Sequence, residues 1–164
     1  MVGCFLGLSR DRANARRFPS IHPLDSWSKY PSIVEVEKLN RAKALLSRSS
    51  DVHQMMMVVG EEGTSIGDYI IYLKGEFLDS VYLQQNTFDD VDAACSMKRQ
   101  EFVFDKVMDV LEASFHFEEK DDARTYFNRL RQLFIDWNYM PHESDSFTSQ
   151  TEAIDKAIAE ALHA

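Results

Sequence analysis

The chain has 164 residues, of which 45% are hydrophobic and 12% aromatic, with a formal net charge of -9 at pH 7; this suits one main folded domain and excludes general disorder. The charge is uneven, because residues 1–17 set Arg10, Arg12, Arg16 and Arg17 against Asp11 alone and leave the remainder strongly acidic. An acidic surface repels phosphate backbones, which excludes nucleic acid as a partner and favours a basic or neutral protein.

In chain order, Val2 to Leu8 is a short apolar run that reads as a buried strand, although periodicity does not separate it from a helical turn. It is too short to span a membrane, and its arginines follow the apolar run instead of preceding it, so it is not a signal peptide. Nothing nearby is expected to complete its sheet, because everything from about residue 32 onward has helical period. The chain is therefore expected to begin inside another domain, with residues 1–17 pairing with another copy or lying over the helices. Cys4 and Cys95 show no disulfide or Cys-x-x-Cys spacing, which suits a reduced, cytoplasmic setting.

A first helix is expected over residues 32–48, with Ile33, Val36, Leu39 and Leu46 on one face, Ser32 as N-cap and Glu35 completing a capping box. Asp51 and Gln54 open a second, short helix through Met55, Met56 and Met57, closed by Gly60; the methionines read as gap-fillers in a core. Ser65 caps a third helix carrying Ile66, Tyr69, Ile70, Leu73 and Phe77 and ending near Gln84. A fourth runs from Ser96 to about Phe115, using Phe104, Val107, Met108, Leu111 and Phe115. A fifth covers residues 121–139, with Ala123, Tyr126, Phe127, Leu130, Leu133, Phe134 and Trp137 as its stripe, and Pro141 stops it. After a mobile linker over residues 143–148, the capping box Ser149 to Glu152 opens a last helix through Ile154, Ile158 and Leu162. The fold class is mainly α: a bundle of about six helices preceded by a short strand and loop.

The loop joining these parts is Phe18-Pro19-Ser20-Ile21-His22-Pro23-Leu24-Asp25-Ser26-Trp27-Ser28. Two prolines stiffen it, and it either presents the Phe18 ring to a ligand or is a crossover with Phe18 in a core. It resembles the Tyr/Phe-Pro-Ala-x-Asp-Pro-Leu-x-Ser loop that ends the nucleotide-binding domain of rotary ATPase catalytic subunits. A second stretch, Leu83-Gln84-Gln85-Asn86-Thr87-Phe88-Asp89-Asp90-Val91-Asp92 followed by Cys95, resembles the Leu-Gln-Gln-Asn-Ala-Phe-x-x-Val-Asp-x-x-Cys segment of the catalytic A subunits of V-type (archaeal-type) ATP synthases. With both motifs in the family's order, the chain is similar to the C-terminal part of such a subunit. Residues 1–30 then correspond to the terminal strand and adenine loop of an α/β nucleotide-binding domain, and residues 31–164 to the C-terminal helical domain.

The resemblance implies ATP hydrolysis or synthesis coupled to proton or sodium translocation, in a soluble cytoplasmic head peripheral to the membrane and without direct membrane contact. It implies a non-catalytic B subunit and central-stalk subunits as partners, and ATP or ADP with Mg²⁺ in the intact subunit. It also implies an adenine pocket with Phe18 stacked on the base, Phe88 closing the other side and Gln85 at the base or ribose edge. For Gln85, Asn86 and Thr87, helix termination and turn formation are an equal reading. His22 departs from the family's loop. Glu118, Glu119, Asp121 and Asp122 form an acidic turn that either compensates the dipole of the fifth helix or, by the resemblance, meets the central stalk.

No Gly-x-x-x-x-Gly-Lys-Ser/Thr occurs, so the chain by itself is expected to bind no nucleotide and to be inactive. His22, His53, His116, His142 and His163 show no metal-ligand spacing, and no Gly-x-Ser-x-Gly surrounds Ser26 or Ser28, so neither a metal site nor a catalytic residue is expected. The alternative to the subunit reading is a stand-alone acidic helical interaction module that binds no nucleotide.

Overall fold

A computed structural model describes residues 3–163. Among these are seven α-helices and one two-stranded sheet. Strand β1 (Cys4–Phe5) leads to α1 (Arg10–Asn14) and strand β2 (Trp27–Ser28). The larger helices are α2 (Val36–Val59) and α3 (Ile66–Leu78), which runs on as a π-helical turn, Asp79–Leu83. The short α4 (Asp90–Ala93) is followed by α5 (Met97–Glu112), α6 (Lys120–Asn138) and α7 (Asp145–His163).

The core is built by the helices whose apolar residues recur at helical spacing. Tyr69, Ile70, Phe77 and Leu78 of α3 are buried, as are Val103, Phe104, Val107, Met108 and Leu111 of α5. Ala123, Phe127, Leu130, Phe134 and Trp137 of α6 meet them. Phe77 packs edge-on against Phe134 at 5.0 Å between ring centroids, and Phe134 likewise against Trp137 at 5.6 Å. The expected Ser65 cap holds, its Oγ accepting from Asp68 N, and Ser96, the expected start of the fourth helix, caps α5 with its Oγ accepting from Arg99 N. The buried Lys74 donates to Leu111 O at 2.8 Å and Ala113 O at 2.6 Å, serving carbonyls at the end of α5 that have no intrahelical partner.

Several expectations are corrected. The first and second helices are one helix, α2, because Ser49 turns inward and donates to Tyr72 O across the α2–α3 interface instead of breaking the backbone. Glu35 stands at its N-cap position without a side-chain cap bond, so the Ser32 capping box does not form. Its inward residues are Ala42, Ser49 and Val52, whereas Ile33 and Val36 are exposed. Met55 and Met57 are also exposed, since consecutive helical residues point about 100° apart and three in a row do not share one core face. Gly60, at φ +80, closes α2 as expected.

The apolar run at the amino end finds its partner inside the chain. Cys4 pairs with Ser28 and Phe5 with Trp27, antiparallel, and Leu8 bridges Ile21. The loop itself returns as the second strand, a pairing that helical periodicity downstream does not reveal; β1 is exposed, not buried. Val2, the first residue of the expected strand, lies outside the described residues. The expectation that this segment lies over the helices holds, through Arg12 and Arg17 against α3 and its π-helical turn. At the other end, α7 starts at Asp145 and not at Ser149, with Ser144 Oγ accepting from Phe147 N at 3.1 Å. The residues expected to form a mobile linker are instead anchored by Phe147, which is buried and stacked on Trp137 at 4.7 Å.

Candidate functional site

The two motif segments meet at the junction of the amino-terminal loop with the end of α3. Gln85 N donates to Phe18 O at 2.9 Å, joining stretches more than sixty residues apart. Ser9 N donates to Ser20 O and His22 N to Gly7 O, each at 2.7 Å, so the loop is closed on itself before it reaches the helices. The Phe18–Pro19 peptide bond is cis. Phe18 leaves this frame with its ring half exposed (51%), not in a core.

The frame is fixed to the bundle by an ion cluster. Helix α1, capped by Ser9, turns Arg12 inward. Its guanidinium pairs with Asp79 and also donates to Pro19 O (3.3 and 3.4 Å) and Leu83 O (3.4 Å). Arg17 pairs with Glu76 Oε2 and Asp79 Oδ2, each at 2.5 Å. Burial and the neighbouring Arg17 charge lower the Arg12 pKa, while the hydrogen bond to Glu76 raises that of Arg17. Both stay charged, as guanidinium groups do.

Beyond the π-helical turn, residues 84–92 form a tight turn. Asn86 N donates to Asp92 Oδ2 at 2.6 Å, Phe88 N to Asn86 Oδ1 at 3.1 Å, and Asp89 Oδ1 caps α4 by accepting from Val91 N and Asp92 N. Asn86 thus has a turn-forming role, whichever further role it has. Phe88 projects from this turn and is 98% exposed. Gln85 is exposed as well. The structure brings the Phe18 backbone and Gln85 together, but Phe88 joins them in no enclosed cavity.

A cleft of about 240 Å³ lies behind the turn, lined among others by Tyr82, Gln84, Gln85, Asp92, Cys95 and Arg99. Arg99 is buried, with Nη2 donating to Asn138 O at 2.7 Å and Nη1 to Cys95 Sγ at 3.2 Å, so it serves the end of α6. Burial raises the Asp92 pKa against the opposing effects of Asn86 N–H and Arg99.

Glu118, Glu119, Asp121 and Asp122 are exposed at the turn between α5 and α6, with Asp121 and Asp122 in the first turn of α6. Local sequence does not show that this turn is tied to the α2–α3 turn. Lys120 Nζ donates to Glu61 O (2.6 Å) and Glu62 O (3.2 Å), and Arg124 pairs with both Glu61 and Asp121. The acidic surface therefore includes Glu61 and Glu62. Sequence reasoning also missed Arg12, Arg17, Glu76 and Asp79, whose partners are about sixty residues away and have no local spacing to mark them.

Among the described residues, no helix is long and apolar enough to cross a membrane, and no group of three or more His, Cys, Asp and Glu residues is placed to hold a metal ion.

The V-type ATP synthase alpha chain of Treponema denticola is 55% identical to this chain over 160 residues, covering 98% of this chain and 27% of the relative. The V-type ATP synthase alpha chain 1 of Treponema pallidum is 52% identical over 154 residues, covering 94% and 26%. That of Borrelia turicatae is 51% identical over 147 residues, covering 90% and 26%. The chain thus spans about a quarter of the length of these relatives. A family model for the C-terminal domain of V and A type ATP synthase matches residues 36–124, more than half of the chain. With that match lying on α2 to the start of α6, and with these relatives extending over the amino-terminal loop, the chain belongs to the family of the C-terminal domain of V and A type ATP synthases.

Proposed function

We propose that this chain is the C-terminal part of the alpha, or A, subunit of a rotary ATPase that couples ATP hydrolysis or synthesis to proton or sodium translocation. In this reading the Phe18 loop supplies a stacking surface for adenine, with Gln85 and Phe88 on the adjoining segment. The acidic turns face the central stalk, a non-catalytic B subunit neighbours the loop, and the assembly is a cytoplasmic head peripheral to the membrane. Residues 1–30 belong to the nucleotide-binding domain and residues 31–164 to the helical domain.

The observation that carries the reading is the hydrogen bond from Gln85 N to Phe18 O, which sets the two motif segments side by side while both aromatic rings remain exposed. An exposed ring on a backbone-pinned loop suits base stacking, which contributes affinity without phosphate contacts. The residues present fit the base and not the phosphates or Mg²⁺, because the chain has no Gly-rich loop with its lysine. Phosphate binding and phosphoryl transfer therefore fall to other parts of the subunit, and this chain alone is inactive.

In the assembled ATPase, Phe18→Ala should raise KM for ATP by about 5- to 150-fold, the equivalent of about 1–3 kcal/mol of lost stacking. A KM equal to that of the wild type would remove Phe18 from the site.

A further inference from the structure

We propose that Arg12 is a positioning residue for base recognition: it holds the Phe18–Pro19 turn and the end of the π-helical turn in one register, so that the Phe18 ring and residues 84–88 face a common ligand. The inference rests on the proposed role of Phe18. One guanidinium makes the link by pairing with Asp79, the first residue of the π-helical turn, while donating to Pro19 O on one side and Leu83 O on the other. Those carbonyls adjoin the two segments that the bond from Gln85 N to Phe18 O brings together. The planar fork holds its donors in fixed directions toward the three acceptors, whereas a lysine ammonium is a compact charge on a flexible stem. Arg12 is 9% exposed and Asp79 8%, so solvent competes little for the bridge. Arg17 does not duplicate it, because its partners are the side chains of Glu76 and Asp79 and neither loop carbonyl.

The test is steady-state kinetics of the assembled ATPase with Phe18→Ala, Arg12→Met, Arg12→Lys and the double variant Arg12→Lys/Phe18→Ala. Arg12→Lys keeps a positive charge facing Asp79, so it carries the test if Arg12→Met does not assemble. It should raise KM for ATP by about tenfold with kcat within about twofold, because the lost interaction orients the base and not the reacting phosphates. It should also lower the preference for ATP over CTP, since a misplaced ring forfeits more stacking with a purine than with a pyrimidine. The double variant should be no weaker than Phe18→Ala alone, because Arg12 acts through the ring.

If Phe18→Ala leaves KM unchanged, the stacking reading falls and the positioning role with it. If Phe18→Ala raises KM while Arg12→Lys matches the wild type, the positioning role alone is overturned. Effects of Arg12→Lys and Phe18→Ala that multiply in the double variant overturn it too, since Arg12 would then act independently of the ring.

Discussion

Gly75→Ala probes how closely α2 approaches α3, the helix that carries Glu76 and leads into Asp79. A Cβ at position 75 would lie 2.0 Å from Ser49 Oγ and 2.4 Å from Ser49 Cβ. A rotamer change moves the hydroxyl away but leaves Ser49 Cβ in place, so the two helices have to separate. Overpacking of this kind costs about 3 kcal/mol at the upper end of its usual range, and replacing a mid-helix glycine by alanine returns about 1 kcal/mol of helix propensity, leaving a net loss of about 2 kcal/mol. For a chain of this length that corresponds to a fall in Tm of about 4–8 °C. Urea titration and thermal melts of the chain measure both quantities. Two double variants identify the cause. Ser49→Ala/Gly75→Ala keeps the offending Cβ and should stay destabilised; Ser49→Gly/Gly75→Ala removes it and should recover stability, although glycine in α2 costs about 1 kcal/mol. A Gly75→Ala chain as stable as the wild type, or more so, would refute the close approach.

Three further predictions concern charge and anchoring. Burial lowers the Lys74 pKa below 10.5, so the folded state releases this proton first as pH rises; between the lowered value and 10.5 the unfolded chain binds more protons, and Lys74's contribution to stability rises with pH. The stability of the wild type relative to Lys74→Met should accordingly increase from neutral pH toward 10.5, and a flat or falling difference would contradict the burial. Reversing Glu118, Glu119, Asp121 and Asp122 to lysine should change the ratio of ions moved to ATP hydrolysed in the assembled enzyme while leaving KM for ATP within about twofold; an unchanged ratio would return the turn to helix-dipole compensation. Phe147→Ala should cost about 3–5 kcal/mol and open residues 143–148 to proteolysis, because this ring anchors the first turn of α7 against Trp137; retained stability and protease resistance would contradict that anchoring.

The legible parts of the fold are those whose signals are local. Phe104, Val107, Met108 and Leu111 in α5, and Ala123, Phe127, Leu130, Phe134 and Trp137 in α6, reveal their helices by spacing alone, and Ser65 and Ser96 mark two starts. Expectation and structure part where a distant contact decides. Ser49 reads as part of a helix break until Tyr72 O is known to lie across from it, and residues 143–148 read as a mostly polar, mobile linker until Phe147 is placed on Trp137. The pairing of Cys4–Phe5 with Trp27–Ser28 likewise joins a short apolar run to a loop with no alternating pattern. At the candidate site, residue type and spacing leave Phe18 undecided between core and surface. Its assignment comes from resemblance, and the half-exposed ring removes the reading in which it fills a core. Arg12 and Asp79, whose pairing ties the loop to the bundle, are sixty-seven positions apart and have no pattern in common.

The most direct test of base stacking is photolabelling of the assembled ATPase with an ATP analogue carrying an azide on the adenine ring, followed by peptide mapping. Covalent label at residues 18–19 or 85–88, displaced by excess ATP, is the predicted result. Label that ATP displaces but that maps wholly outside those residues would contradict the adenine-facing role of the Phe18 loop.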